Sequence, residues 1–372
     1  MSSFEVPNSV NPCSASKCRI SSIDCMRGLM LAMVLADHID SQHYNNAGIV
    51  KWTLMGLGFS DASDVFVFLS GFVFGYAYGK RIKRNGKISS FNHGLVRILQ
   101  IYVGLITCSF CVGLLQLCMG FVSWNVQCKL LLSSCCLGNQ SFNTGILSLY
   151  IVLLPWLLLL FLTFSENLQW LVISLSLAVY VFAQIEACHG RHLPAGWLFQ
   201  PMAWQFLMVV AAVSGRKFGA SGRNVCHRSR GLFATSLLIL IFGLVVKKLE
   251  WFQLDLHTSV FFWNHSLIDK SNLGPLRLLH LFSMVYVTLF LWPPDSAMWS
   301  SRILSPMRTC GRHSLTLYCI GVVLTELTSI ISHWTGDSTA TVWMLVIDAL
   351  ALQCCMAYVL DLGFDRVRAS QT

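Results

Sequence analysis

Long apolar stretches recur along the whole chain, and short clusters of polar and charged residues separate them. Most of these stretches have ~17–25 residues, which is the length that an α-helix needs to cross the hydrocarbon core of a bilayer. Charged residues make up only 12% of the 372 residues, whereas soluble domains carry roughly 25%. Because so few charges cannot keep a soluble surface hydrated, the pattern predicts an all-α, polytopic membrane helix bundle.

The pattern predicts ten transmembrane helices in one domain over 22–360, between a cytoplasmic segment at 1–21 and a cytoplasmic tail at 361–372. Lys and Arg collect on the cytoplasmic side of membrane proteins, and most of those in this chain fall there if the N-terminus is inside. We therefore expect both termini to be cytoplasmic, in a multi-pass protein of the inner or plasma membrane. The predicted spans are 22–42, 58–79, 94–123, 145–164, 168–186, 201–218, 231–247, 276–293, 312–332 and 340–360.

The composition also limits the classes of partner. The formal net charge is +9, which the topological bias of Lys and Arg explains without nucleic acid. No basic run is interleaved with the aromatics that stack on bases. Most of the 15 cysteines lie in apolar stretches, where Cys behaves as a small hydrophobe, and none has zinc-ligand spacing with His. We expect a lipid bilayer as partner, no nucleic acid and no metal, and the sequence leaves the oligomeric state open.

Three ionisable side chains stand at the outer ends of the first two predicted spans. His38 lies at the end of the first span, and Asp61 and Asp64 lie at the beginning of the second, so all three have a similar depth. The two aspartates are three residues apart and share a helix face. Ionisable groups within a membrane are costly and by default indicate a functional site. We interpret all three as candidate catalytic residues.

Three further spans bring polar side chains to the same depth, so that five spans contribute to one layer. Such convergence is what a site between helices requires, although an ordinary polar rim at the membrane interface would explain each residue singly. We expect the additional residues to complete the catalytic set and to bind substrate. They are Arg277 and His280, which are candidate catalytic residues, and Asn143, Thr144, Trp204 and Gln205, which are candidate substrate-binding residues.

The side chains of this layer suit acyl transfer. His38 can take a proton from an attacking hydroxyl or can carry the acyl group transiently, and the sequence leaves both open. A nearby carboxylate would raise the proton affinity of the imidazole. Arg277, Gln205 and Asn143 can donate hydrogen bonds to the oxyanion of a tetrahedral intermediate. A histidine without a catalytic role is the alternative interpretation of His38.

The predicted cytoplasmic face carries a different set of side chains. Arg84 belongs to a basic segment after the second span, and Arg97 opens the third span at the membrane edge. Both can bind the phosphates of acyl-CoA, because guanidinium groups pair well with phosphate. The positive-inside bias explains the loop residue equally well. We expect acyl-CoA as a donor substrate and no permanently bound cofactor.

Six stretches in the layer and around it, spread over about residues 20–330, carry a family resemblance. They are DCMRGLMLAMVLADH (24–38), GFSDASDVFVFLSGFVFG (58–75), SFNTGILSLYIVLLP (141–155), LFQPMAWQFLMVV (198–210), GPLRLLHL (274–281) and CGRHSLTLYCIGVVL (310–324). Together, and in this order, they resemble the OpgC family of osmoregulated periplasmic glucan succinylation, within the acyltransferase family 3 group of membrane acyltransferases.

The resemblance implies an enzyme that moves an acyl group, succinyl or acetyl, from an intracellular acyl-CoA to a hydroxyl of an extracytoplasmic glucan or other glycan. The family's first-span histidine corresponds to His38, and its FSD motif corresponds to residues 59–61. Its third-span arginine corresponds to Arg97, and its PLRLLH segment corresponds to residues 275–280.

Two other functional classes remain. A multi-pass transporter or flippase would move a molecule without acyl transfer, and such proteins often show broken helices with paired Gly or Pro interruptions in two related halves. The sequence shows no such symmetry. A structural membrane scaffold would not need ionisable side chains from five spans at one depth.

Overall fold

A computed structural model of the protein describes residues 20–43, 47–138, 143–189, 197–221, 228–251, 267–336 and 338–369. The predicted cytoplasmic segment 1–21 therefore lies almost entirely outside the described residues. Within them the regular structure is helical, which confirms the all-α prediction. The α-helices are α1 (Ser21–Gln42), α2 (Leu54–Leu57), α3 (Ala62–Cys118), α4 (Trp124–Cys135), α5 (Gly145–Thr163), α6 (Gln169–Cys188), α7 (Pro201–Ser221), α8 (Arg230–Trp251), α9 (Pro275–Leu291), α10 (Ser305–Arg312), α11 (Ser314–Thr335) and α12 (Thr339–Ala369).

Six helices of the described chain are long and apolar enough to cross a membrane, namely α3, α5, α6, α8, α11 and α12. Helix α9 is apolar but shorter. Helix α1 falls outside this set because Asp24, Arg27, Asp37 and Asp40 interrupt it. The chain is therefore a multi-pass membrane protein by the character of its helices. Each predicted span overlaps a helix, but the count of ten and the cytoplasmic position of the termini stay predictions.

The second and third predicted spans are the two halves of α3, which has 57 residues. At 1.5 Å per residue such a helix would be about 85 Å long, far more than a bilayer is thick. Gly86 breaks it with φ 77° and ψ 174°, a conformation that glycine adopts at little cost because it has no Cβ. The chain can therefore leave the membrane at Gly86 and enter it again.

Helices α3 and α7 pack closely through small residues. A Cβ at Gly75 of α3 would overlap the backbone carbonyl of Ala212 on α7. Ala211 and Ala212 are both fully buried. Apolar side chains gain little by leaving lipid for protein, so membrane helices associate best where small residues let their backbones approach. This contact fixes α7 against the first half of α3.

Helix α1 lies inside the bundle, where it packs against α3, α10, α11 and α12. Its buried face includes Leu31, Leu35 and Ile39, each no more than 2% exposed. His38 adjoins this face near the C-terminal end of α1, and its side chain is half-buried. The packing of α1 therefore turns His38 toward the interior of the bundle.

The sequence alone leaves open one disulfide among Cys128, Cys135, Cys136 and Cys188, which fall in predicted outer loops. In the described part of the chain Cys128, Cys135, Cys136 and Cys188 are all free thiols. The structure therefore contains no disulfide among them.

Candidate functional site

Asp61 and Asp64 form the N-terminal cap of α3. Asp61 Oδ1 accepts hydrogen bonds from the backbone nitrogens of Ser63 at 2.9 Å and Asp64 at 3.3 Å. Asp64 Oδ2 accepts a hydrogen bond from the backbone nitrogen of Asp61 at 2.8 Å. This reciprocal capping satisfies backbone donors that the first helical turn leaves unpaired. Both carboxylates are held in place and keep oxygens for other partners.

Arg277, in the first turn of α9, binds both of these carboxylates. Its Nη2 lies 2.8 Å from Asp61 Oδ2 and 2.8 Å from Asp64 Oδ2, and its Nε donates to Asp64 Oδ1 at 3.1 Å. The Arg277 side chain is only 8% exposed. The structure therefore brings Arg277 together with the two aspartates of the second predicted span, in a buried ion-pair network that ties α9 to α3.

Lys270 is a site residue that the sequence interpretation missed. Its Nζ lies 2.7 Å from Asp61 Oδ2 and donates to Ser63 Oγ at 3.4 Å. Its side chain is 33% exposed, far more than that of Arg277. In the sequence it stood only as one cation of an outer loop, seven residues before Arg277. That short separation from a candidate catalytic residue was the one available signal.

Hydrogen bonds from two other helices hold the loop that carries Lys270. Trp204 Nε1 on α7 donates to the backbone carbonyls of Lys270 at 3.2 Å and Ser271 at 3.1 Å. Tyr180 on α6 donates through its hydroxyl to the carbonyl of Leu273 at 2.9 Å. A loop whose carbonyls are bound in this way keeps a defined path, so the position of Lys270 is set before any ligand arrives.

His38 and Lys270 line the same cavity. This cavity, which we call the outer cavity because it lies at the predicted outer end of α1, has a volume of about 100 Å³, and Ser63, Phe199 and Tyr318 are also among its lining residues. Pockets that enclose drug-sized ligands have roughly 300–1,000 Å³, so this one suits a group of only a few heavy atoms. The structure therefore brings His38 of α1 to the same small space as the cation bound to Asp61.

The side chain of His280 does not point to the outer cavity. Its Nδ1 lies 2.9 Å from Ser60 Oγ, and its ring packs edge-on against Phe59 with centroids 5.6 Å apart. A Cβ at Gly58 or Gly243 would collide with this imidazole. His280 is buried between α9, α8 and the segment before α3, and it does not line the outer cavity. Its predicted catalytic role stays a prediction that these contacts do not support.

Gln205 and Trp204, the predicted substrate-binding residues of α7, have partners within the protein. Gln205 Nε2 donates to the backbone carbonyl of Ser176 at 2.8 Å, and Gln205 Oε1 accepts from Ser176 Oγ at 2.6 Å. Trp204 is fully buried and holds the Lys270 loop. These contacts favour positioning roles: Gln205 joins α7 to α6, and Trp204 joins α7 to the loop.

Asn143 and Thr144, the other two predicted substrate-binding residues, precede α5 and are each 3% exposed. The carbonyl of Asn143 accepts a hydrogen bond from the hydroxyl of Tyr318 on α11 at 2.5 Å. Tyr318 in turn lines the outer cavity. Asn143 therefore reaches the cavity through Tyr318, and direct binding of substrate by Asn143 or Thr144 stays a prediction.

Arg97, on α3, lies near the N-terminal part of α1, whereas His38 lies near the C-terminal end of that helix. Arg27, eleven residues or about 16 Å before His38 along α1, lines two cavities together with Arg97. One cavity has about 190 Å³ and extends into the bundle, and the other has about 610 Å³ and also includes Arg312 and His313. Arg84 is exposed and lines none of the three cavities described here.

A thin partition separates the outer cavity from the cavity of about 190 Å³ that Arg27 and Arg97 line. Phe66, Ile146 and Tyr318 line both cavities. Phe66 and Tyr318 stack with centroids 6.4 Å apart and planes at 27°. The side chains of three residues therefore stand between the arginines at one end of α1 and His38 near the other.

Comparison with known proteins identifies a family whose model spans all of these residues. A family model described as OpgC protein matches residues 19–363. The comparisons with curated proteins and with solved structures gave no match. The matched range includes every residue of the ion-pair network and of the three cavities.

Proposed function

The chain belongs to the OpgC family, and on that premise we propose that it transfers an acyl group from an intracellular acyl-CoA to a hydroxyl of an extracytoplasmic glucan or other glycan. Family membership by itself indicates a membrane acyltransferase acting on glucans. The proposal adds acyl-CoA as donor, a succinyl or acetyl group as cargo, a position in the inner or plasma membrane, and a place in the acyltransferase family 3 group.

The observation that carries the proposal is that three cavities follow one another along the length of α1. The cavity of about 610 Å³ and the cavity of about 190 Å³ share Arg27 and Arg97, and the second is separated from His38 by one layer of side chains. Guanidinium groups at the wide end can hold the phosphates of a donor. A narrow thioester arm can then extend inward toward His38. This arrangement suits an enzyme whose two substrates approach from opposite ends.

His38 is the general base of the proposed reaction. It takes the proton of the acceptor hydroxyl while the hydroxyl oxygen attacks the thioester carbonyl carbon. When the tetrahedral intermediate collapses, the thiolate leaves and receives that proton from the imidazolium, which yields the ester and the free thiol. A positioned base of this kind contributes about 10²–10⁴-fold to a rate. The network of Asp61, Asp64 and Arg277 holds the surrounding helix ends in place.

The donor is held by the arginines at the opposite end. Arg97 is half-buried and lines both inner cavities, so its guanidinium faces space that a ligand can occupy. Arg27 stands beside it, and Arg312 and His313 extend the basic surface of the larger cavity. Arg84 contributes only to the general positive charge of that end, because its side chain is exposed.

Purified protein in lipid nanodiscs tests the proposal when it is incubated with radiolabelled acetyl-CoA or succinyl-CoA and a soluble glucan. We expect label on the glucan from the native protein and none from His38→Ala, which is compared with His333→Ala, a control at an exposed histidine whose ring packs on Phe121. Native protein that releases no labelled glucan, but moves an intact molecule across the membrane of proteoliposomes, would identify a transporter or flippase. Full activity of His38→Ala would remove His38 from the mechanism.

A further inference from the structure

We infer that Lys270 is a further catalytic residue, whose ammonium group donates a hydrogen bond to the oxyanion that forms on the thioester carbonyl oxygen. The inference rests on the proposed acyl transfer at His38. It assigns the stabilisation of negative charge to a residue that neither the sequence pattern nor the family resemblance singled out.

The geometry of Lys270 leaves one donor for a ligand. An ammonium group has three N–H donors. Two of them have partners in the described structure, namely Asp61 Oδ2 at 2.7 Å and Ser63 Oγ at 3.4 Å. The side chain is 33% exposed and lines the outer cavity together with His38. A group in that cavity therefore meets the base and the remaining ammonium donor at the same time.

Two of the three donors that the sequence suggested for this task are already occupied, and the third, Asn143, does not line the outer cavity. Arg277 is 8% exposed, with Nη2 and Nε directed at the two aspartates. The side-chain amide of Gln205 donates hydrogen bonds to the backbone carbonyls of Ser176 and Met202. Neither residue lines the outer cavity. Of the two cations that contact Asp61, Lys270 is the one that faces the cavity.

The support around Lys270 is what an oxyanion site requires. Donors stabilise a transition state best when they are in place beforehand, so that no reorganisation is needed as charge develops. Asp61 is fixed by the cap of α3, and it holds the ammonium group. Trp204 binds the backbone carbonyl of Lys270, and Asp269 accepts from the backbone nitrogen of Ser271 at 3.1 Å. Both ends of the lysine side chain are therefore positioned.

The assignment gives a balanced reaction. The acceptor oxygen forms a bond to the carbonyl carbon, its proton moves to His38, and the π electrons of the carbonyl move onto oxygen, where Lys270 donates its hydrogen bond. The carbonyl then forms again, the bond from carbon to sulfur breaks, and the thiolate takes the proton from His38. Lys270 stays protonated throughout and exchanges no atom with the substrates.

The test is the kinetics of Lys270→Met and Lys270→Arg in nanodiscs, with Lys248→Met as a control at a partly exposed lysine that lines none of the three cavities. Loss of one oxyanion donor costs ~10²–10³-fold in kcat. We expect a loss of that size in Lys270→Met with an unchanged KM for acyl-CoA, a smaller loss in Lys270→Arg, and native kinetics in the control. A kcat of Lys270→Met within about twofold of native, or a loss confined to KM, would overturn the inference.

Two checks separate the possible causes of failure. Thermal unfolding shows whether Lys270→Met is folded, and if it is not, Lys270→Gln takes its place with the same two outcomes. If His38→Ala is inactive while Lys270→Met keeps native kcat, the role of Lys270 is refuted and the acyltransferase remains. If the native protein transfers no acyl group, the proposed function itself fails.

Discussion

Arg277 Nη2 lies 2.8 Å from Asp61 Oδ2, and this contact joins the first turn of α9 to the N-terminal cap of α3. The same carboxylate oxygen lies 2.7 Å from Lys270 Nζ. One oxygen of Asp61 therefore receives two cations, of which Arg277 is buried and Lys270 is partly open to the cavity of His38. Because of that difference in exposure, we assign Arg277 a supporting role and Lys270 a role in the chemistry.

Arg277→Met should strongly destabilise the protein. Removing one partner of a buried ion pair leaves the other charges uncompensated, which costs about 3–5 kcal/mol. Arg312→Met is the matched control, because its pair with Asp361 at 3.0 Å is 37% and 30% exposed and such pairs contribute about 0–1 kcal/mol. Thermal unfolding in detergent measures both. Equal stabilities of the two variants would show that the network around Asp61 is not a structural centre.

Gly75→Leu should separate α3 from α7. A side chain at this position would overlap the backbone of Ala212, and overpacking of this kind costs about 1–3 kcal/mol or more. Gly363→Leu serves as control, because a Cβ there meets no atom within 4 Å. The midpoint of thermal unfolding should fall in the first variant and stay unchanged in the second. An unchanged midpoint in Gly75→Leu would mean that the two helices do not pack as described.

Phe66→Ala should widen the range of acyl groups that the protein transfers. Phe66 belongs to the partition between the cavities, and one methylene in an apolar pocket changes specificity by roughly 10–200-fold. We expect kcat/KM for hexanoyl-CoA to rise about tenfold relative to acetyl-CoA. Phe72→Ala is the control, since Phe72 packs on Phe218 of α7, centroids 5.6 Å apart. The same ratio in both variants would contradict an acyl route through the partition.

Arg97→Gln should weaken binding of the donor without affecting chemistry. Hydrogen bonds to charged groups contribute about 1.5–3 kcal/mol, so KM for acyl-CoA should rise at least about tenfold while kcat stays near native. Arg84→Gln should change KM by less than about twofold, because exposed charges are screened by water and salt. Initial rates over a range of donor concentrations provide both values. A larger effect from Arg84 than from Arg97 would place the donor outside the described cavities.

The sequence could predict which residues of the candidate site share a depth in the membrane, but it could not predict which way their side chains point. Helix ends and the alternation of polar clusters gave His38, Asp61, Asp64 and Arg277 a common depth, and the structure brings Arg277 to the two aspartates and His38 to a cavity beside them. The same reasoning put Gln205 in the layer, where the structure directs its amide to α6. Depth along a helix can be counted in residues, whereas the direction of a side chain around the helix axis depends on which neighbour packs there.

The helical, membrane-spanning character of the chain follows from its amino-acid sequence alone, because helix length and apolarity are local properties that a bilayer requires of each segment. The resemblance of its motifs, borne out by the family match over 19–363, determined its class. Which cation faces His38, in contrast, is set by the packed fold. That choice depends on a loop held by Trp204 and Tyr180, residues distant in sequence whose hydrogen bonds form only once the helices have packed.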